Sequence, residues 1–151
     1  MKTDYALLLS QLEGLFQAET DPMANMANTA AVLFNGMEQL NWAGFYRLCG
    51  RELVLGPFQG KPACVRIALG KGVCGTAAQT AQTQRIADVH QFAGHIACDP
   101  ASRSEIVVPI FKAGSVWGVL DMDAPVADRF SPEDQHFLER VVALFAEKTA
   151  L

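Results

Sequence analysis

Glu105-Ile106-Val107-Val108-Pro109-Ile110-Phe111-Lys112-Ala113-Gly114-Ser115-Val116-Trp117-Gly118-Val119-Leu120-Asp121-Met122-Asp123 contains two apolar, β-branched runs on either side of a short polar stretch. The pattern predicts strands over 105–111 and 116–123 joined by a turn at 112–115, hence an antiparallel hairpin. Downstream, Ser131-Pro132-Glu133-Asp134 opens a helix. Ser is the N-cap, Pro occupies the first helical position, and the acid at the third comes close to a capping box. Phe137, Val141, Leu144 and Phe145 give that helix its apolar face. Upstream, Gln84–Val89 reads as a short strand or extended segment. Gly70-Lys71-Gly72-Val73-Cys74-Gly75 reads as a turn feeding a short helix through Gln79. Cys64–Leu69 alternates as a strand. Ala43–Leu48 and Glu52–Gly56 form a strand pair around the Cys49-Gly50-Arg51 turn. The first forty residues change period. Tyr5–Phe16 repeats Leu8, Leu12, Leu15 and Phe16 at helical spacing. Asp21-Pro22 then caps a second helix, with Met23, Met26, Ala27, Ala30, Leu33, Phe34 and Met37 as its expected buried stripe. The order predicts an α+β fold, an antiparallel sheet flanked by helices. One domain is expected over 1–151: N-terminal helices in 1–40, sheet and site loops in 41–123, and a C-terminal helix in 131–149.

Length and composition bound the function. The chain has 151 residues, half of them hydrophobic, enough for a sizeable core without staples. A net charge of −4 and the lack of any Lys/Arg run argue against nucleic-acid binding. No apolar run reaches the length of a membrane span, and no signal peptide is expected at the start. A cytoplasmic protein is the expectation.

Four cysteines occur, at 49, 64, 74 and 98, without C-x-x-C pairing. Cys64, Cys74 and Cys98 with His90 or His95 are too irregularly spaced for zinc, so no metal is expected. The plain reading of a cytoplasmic thiol is a small buried hydrophobe, which suits Cys49 in the apolar Phe45–Cys49 run. It does not suit Cys98, which lies in the polar stretch Gly94-His95-Ile96-Ala97-Cys98-Asp99-Pro100-Ala101-Ser102-Arg103-Ser104-Glu105. Asp121 and Asp123 share one face of their strand, about 7 Å apart, with Met122 opposite. Their plain reading is a solvated strand end. With Glu105 on the hairpin's other strand they would instead make a pocket for a positively charged group. Trp42 and Tyr46 share a face of the first strand. They are either core or an aromatic wall for a small apolar group. No G-x-S-x-G elbow and no phosphate-loop spacing is present.

These pieces together resemble the free methionine-(R)-sulfoxide reductases, a family built on a single GAF domain. The resemblance rests on Asn41-Trp42-Ala43-Gly44-Phe45-Tyr46, Gly56–Cys64, Gly70–Ala77, Gly94-His95-Ile96-Ala97-Cys98-Asp99, Ser104–Pro109 and Leu120-Asp121-Met122-Asp123. It implies reduction of free methionine-(R)-sulfoxide, with Cys98 as nucleophile, Cys64 as resolving cysteine and Cys74 as an additional exchange thiol. It further implies thioredoxin as reductant, no bound cofactor, and a homodimer. Glu105, Asp121 and Asp123 would donate the proton and bind the substrate's ammonium, and Trp42 with Tyr46 would pack on its S-methyl. Two other classes use the same features: a GAF sensor that binds a small ligand, and a thiol redox sensor without turnover. Repeated consumption of sulfoxide separates both from a reductase.

Overall fold

A computed structural model of the chain describes residues 2–95 and 99–151. Among these lie four α-helices and six strands. They are α1 (Tyr5–Phe16), α2 (Pro22–Gly36), β1 (Trp42–Cys49), β2 (Glu52–Gly60), β3 (Arg66–Ala68), α3 (Gly72–Thr80), β4 (Gln84–Ile86), β5 (Ser104–Lys112), β6 (Ser115–Ala124) and α4 (Pro132–Lys148). The strands form one sheet in the order β3-β2-β1-β6-β5-β4, with every neighbouring pair antiparallel. The expected α+β architecture is therefore present.

Period-two alternation assigns each strand residue to a face. Ala43 and Phe45 of β1, Ile106, Val108 and Ile110 of β5, and Leu120, Met122 and Ala124 of β6 point one way. There they pack with Leu12, Met26, Leu33, Phe137, Val141 and Phe145 of α1, α2 and α4. The opposite face carries Trp42, Tyr46, Val107 and Val119. It is covered by α3 through Val73, Cys74, Ala77 and Ala78. The caps follow the sequence. Asp4, Asp21 and Ser131 each accept a hydrogen bond from a first-turn amide, and Ser131 with Asp134 completes a capping box.

Several boundaries and faces differ from expectation. β2 continues past Gly56 to Gly60. Tyr46 pairs with Leu55 and Gly44 with Phe58, so Gly56 and Pro57 together oppose Phe45 alone. This bulge absorbs the proline, which has no N–H to give a ladder. Cys64 and Val65 precede β3 instead of opening it. β4 ends at Ile86, short of the Val89 expected for the extended segment, and a 3-10 turn follows at Val89–Gln91. In α1 Leu9 is buried and Leu15 exposed. In α2 Met23 and Ala27 face solvent, while Asn25 and Thr29 sit on the inner side. Asn25 Nδ2 donates to the Glu19 carbonyl and to Thr149 Oγ1, both at 3.0 Å. Thr29 Oγ1 donates to the Asn25 carbonyl at 2.7 Å, so this polar pair is satisfied without water. Cys49 is exposed at the β1–β2 turn, against the expectation of a buried thiol.

Candidate active site

Strand register assembles the candidate site on the α3 side of the sheet. Asp123 of β6 stands opposite Glu105 of β5 on one flank and Trp42 of β1 on the other. One pleat further along, Asp121 lies between Val107 and Gly44. All these residues share a face, so two carboxylates from β6, one from β5 and the indole from β1 converge. Met122 lies on the other face in the main core, as the alternation requires. The solvated-strand-end reading fails: Glu105 is 7% exposed and Asp121 6%.

The first turn of α3 closes the pocket from above. Gly70 and Gly72 adopt φ of +79° and +62°, a left-handed turn that glycine accommodates without strain. Gly75 lets the helix approach the end of β3, because a Cβ there would meet the Ala68 carbonyl oxygen at 2.5 Å. Lys71, Gly72, Val73 and Cys74 thereby line the same pocket as Trp42, Tyr46, His95, Glu105, Asp121 and Asp123. Cys74 carries a free, buried thiol with Sγ 4.0 Å from Glu105 Oε2.

Burial sets the electrostatics. It raises the Glu105 carboxyl well above the ordinary range, and the neighbouring charges of Asp121 and Asp123 push it further. Asp123 is raised well above its usual value by burial and by Asp121, and Asp121 is raised by burial while Glu105 and Cys74 partly offset the rise. Three carboxyls packed this closely titrate as one cluster and do not all ionise at neutral pH. Burial, then Asp121, Glu105 and Asp123, hold Cys74 as a thiol and not a thiolate. Asp121 Oδ1 is buried without a hydrogen-bond partner among the described residues, an acceptor aimed into the pocket. Cys74 Sγ and one oxygen each of Glu105 and Asp121 lie within 4.8 Å of one another, a spread that suits either a metal ion or an ammonium.

The aromatic wall is also present. Trp42 and Tyr46 stack with ring centroids 6.0 Å apart, and Trp42 stacks on Phe58 at 5.1 Å. Both residues are almost fully buried, so they are core and pocket lining at once. Of the predicted cysteines, Cys64 is half-buried beside the pocket and held in a disulfide. Cys98 lies outside the described residues. Sequence reasoning gave no role to Asn41, whose Nδ2 donates to Asp99 Oδ2 at 3.0 Å and to Ser102 Oγ at 3.1 Å. It gave none to His95 either, whose Nε2 is 3.9 Å from Glu105 Oε1 and whose pKa burial lowers. Both stand inside quoted motifs; no local spacing distinguished them from ordinary loop polars.

The chain matches the family model of the GAF domain over residues 11–148. It is 53% identical over 139 residues to a free methionine-R-sulfoxide reductase of Escherichia coli strain K12, covering 92% of this chain and 84% of that one. The fold superimposes on reduced fRMsr of Staphylococcus aureus with a TM-score of 0.96 at 52% identity, covering 99% and 97% of the two chains. A free methionine-R-sulfoxide reductase of Neisseria meningitidis, solved in complex with its substrate, gives a TM-score of 0.92 at 43% identity over 95% and 87%. On pocket, register and likeness together, the chain belongs to the GAF-domain family, among the free methionine-R-sulfoxide reductases.

Proposed function

We propose that this chain is a thiol-dependent oxidoreductase that reduces free L-methionine-(R)-sulfoxide to L-methionine. The observation that carries the reading is the pocket itself: two buried carboxyls, Glu105 and Asp121, and the half-buried Asp123 face an indole, one of them with an unpartnered oxygen, beside a disulfide-bonded cysteine. A free amino acid brings an ammonium to such acids and an apolar S-methyl to such a wall. The activity named for the Neisseria relative, solved in complex with its substrate, supports the same choice.

The Cys98 thiolate attacks the sulfoxide sulfur while a carboxyl of the cluster protonates the sulfoxide oxygen. The S–O bond breaks, and the new bond between Cys98 and the substrate sulfur breaks in turn as the oxygen passes to Cys98, leaving it a sulfenic acid; methionine is released two electrons reduced and Cys98 is two electrons oxidised. Cys64 then attacks the sulfenic sulfur, expels water and closes a disulfide. A dithiol reductant, thioredoxin, restores both thiols by exchange. The disulfide at Cys64, with Cys49 and Cys74 free, supports Cys64 as the resolving thiol. Cys74 keeps the subsidiary exchange role, slowed because a protonated thiol is a poor nucleophile. The resemblance further supports a homodimer and a cytoplasmic location; no helix among the described residues is long and apolar enough to cross a membrane.

The test is amino-acid analysis after incubating the reduced protein with each pure sulfoxide epimer, free and peptide-bound. Without reductant, the free R epimer should yield about one methionine per protein; with thioredoxin and its reductase, turnover should continue. Cys98→Ser should yield none. Methionine from Cys98→Ser would overturn the nucleophile assignment. Oxidation of the thiols without any methionine would favour a redox sensor instead.

A further inference from the structure

We propose that Trp42 and Tyr46 form a two-point clamp on the 61–65 segment, and that this clamp positions Cys64 for disulfide closure. The proposal rests on the functional reading above. The segment has no helix or strand of its own. Its backbone is fastened instead by side chains of β1. Trp42 Nε1–H donates to the Lys61 carbonyl at 3.1 Å, and the Tyr46 hydroxyl donates to the carbonyl of Cys64 itself at 2.8 Å. A third bond, from the Leu55 amide to the Val65 carbonyl at 2.9 Å, ties the segment's end to β2.

The two donors are themselves fixed. A Cβ on Gly44 would meet Trp42 Cη2 at 2.7 Å, and a Cβ on Gly60 would meet Trp42 Cδ1 at 2.7 Å. The indole thus lies against two glycines and stacks on Phe58, which leaves its N–H one direction. Tyr46 is stacked beneath it. Burial, then the charge of Asp121, raises the Tyr46 hydroxyl, so it remains a donor across the working pH range. An aromatic wall for an S-methyl needs neither polar end. That both polar ends reach carbonyls of one short coil, one of them the cysteine's own, is what the wall leaves unexplained.

The clamp is seen with Cys64 already disulfide-bonded, and under this proposal the same two bonds hold the segment before closure, the step such a clamp would govern. Cys64 must meet the Cys98 sulfenic sulfur, forming S–S and releasing water. A tethered thiol's rate depends on how often it occupies the attacking position. Loss of one clamp bond should slow closure roughly fivefold to tenfold.

The experiment partitions the sulfenic acid between closure and capture. Reduced wild type, Tyr46→Phe and Cys64→Ser each receive one equivalent of free methionine-(R)-sulfoxide with dimedone present. Mass spectrometry counts dimedone on Cys98 per methionine formed, a ratio independent of how well each variant binds substrate and insensitive to a general loss of stability. Cys64→Ser should be captured almost fully and wild type little. Tyr46→Phe should give at least about five times the wild-type ratio. A wild-type ratio in Tyr46→Phe, with methionine formed by all three, overturns the clamp alone. No methionine from any of them overturns the functional reading and the clamp with it. Should Tyr46→Phe not fold, Trp42→Phe, which deletes the Lys61 bond, takes the same readout.

Discussion

Glu105 is an ionisable side chain held buried in a pocket, at the expense of stability once the pH rises. Its carboxyl pairs in register with Asp123, packs against the Cys74 thiol, and faces His95 across 3.9 Å. No Lys or Arg salt bridge reaches Glu105, Asp121 or Asp123 among the described residues, so the acids are open to an incoming ammonium. Glu105→Gln or Asp123→Asn removes one ionisable acid with almost no change of volume. Each should lower kcat/KM for free methionine-(R)-sulfoxide at least ~10-fold, because a charge-assisted bond worth about 1.5–3 kcal/mol is lost. N-acetylmethionine sulfoxide, which lacks the ammonium, should be reduced at least ~10-fold less efficiently by the wild type. Steady-state assays with both substrates check this; equal rates on the free and acetylated forms would remove the carboxylates from substrate recognition. The two-residue step placed Asp121 and Asp123 on one face from sequence alone. Their burial was not legible, because it depends on α3 covering that end of the sheet, and nothing near residue 121 says where residues 72–80 dock. Cys49 was misjudged for a related reason. Its neighbours are apolar, but it is the last residue of β1, and the glycine turn beside it lifts it into solvent.

At the scale of elements, signals carried by backbone chemistry proved legible and those carried by hydrophobic counting less so. The start of α4 is the clearest case, since Ser131, Pro132 and Asp134 each meet a distinct need of a helix N-terminus. Ser131→Ala should cost about 1 kcal/mol, which corresponds to a fall in Tm of roughly 2–4 °C for a domain of this size. Calorimetry checks it, and no change would mean that Asp134 and Pro132 suffice. The buried stripe of α2 was misread because counting apolar residues passes over Asn25 and Thr29, which hold their inner positions by bonding to Glu19, to Thr149 and to each other. The end of β2 was misread because Gly56-Pro57 looks like a strand terminator, whereas a bulge lets the chain run on to Phe58. That extension matters to the site: Phe58 supports the indole, and Gly44 opposite it leaves the room. A Cβ at Gly44 would meet Phe58 Cβ at 2.3 Å and Trp42 Cη2 at 2.7 Å. Gly44→Ala should therefore destabilise by about 1–3 kcal/mol and also raise KM by displacing Trp42. A variant with reduced Tm but unchanged KM would separate the strand's packing from the pocket.

The whole molecule divides its sheet between two tasks. One face joins α1, α2 and α4 in an apolar core, and the other holds the acids under a single short helix. The alternation that makes this division was legible from the hairpin; the strand order, which brings β1 between β2 and β6 and so sets Trp42 beside Asp123, was not, because non-local pairing leaves no local trace. The division has a measurable consequence for pH. Unfolded, Glu105 releases its proton near its ordinary value of 4.5, but folded it holds the proton to a much higher pH. Between the two the folded state binds more protons than the unfolded state, so unfolding free energy falls as pH rises. The stability is fully present below the unfolded value and is lost as pH climbs through the folded one, with a limiting slope of about 1.4 kcal/mol per pH unit. Tm of the reduced, ligand-free protein should therefore decline from pH 5 to pH 8, and Glu105→Gln should flatten the decline. A bound ammonium reverses the penalty by favouring the ionised acids. L-Methionine should accordingly raise Tm more at pH 8 than at pH 5, and its binding should release protons, seen as a calorimetric heat that varies with the ionisation enthalpy of the buffer. If L-methionine stabilised the protein equally at both pH values, with no proton release, the acids would not be the group that receives the amino acid's charge.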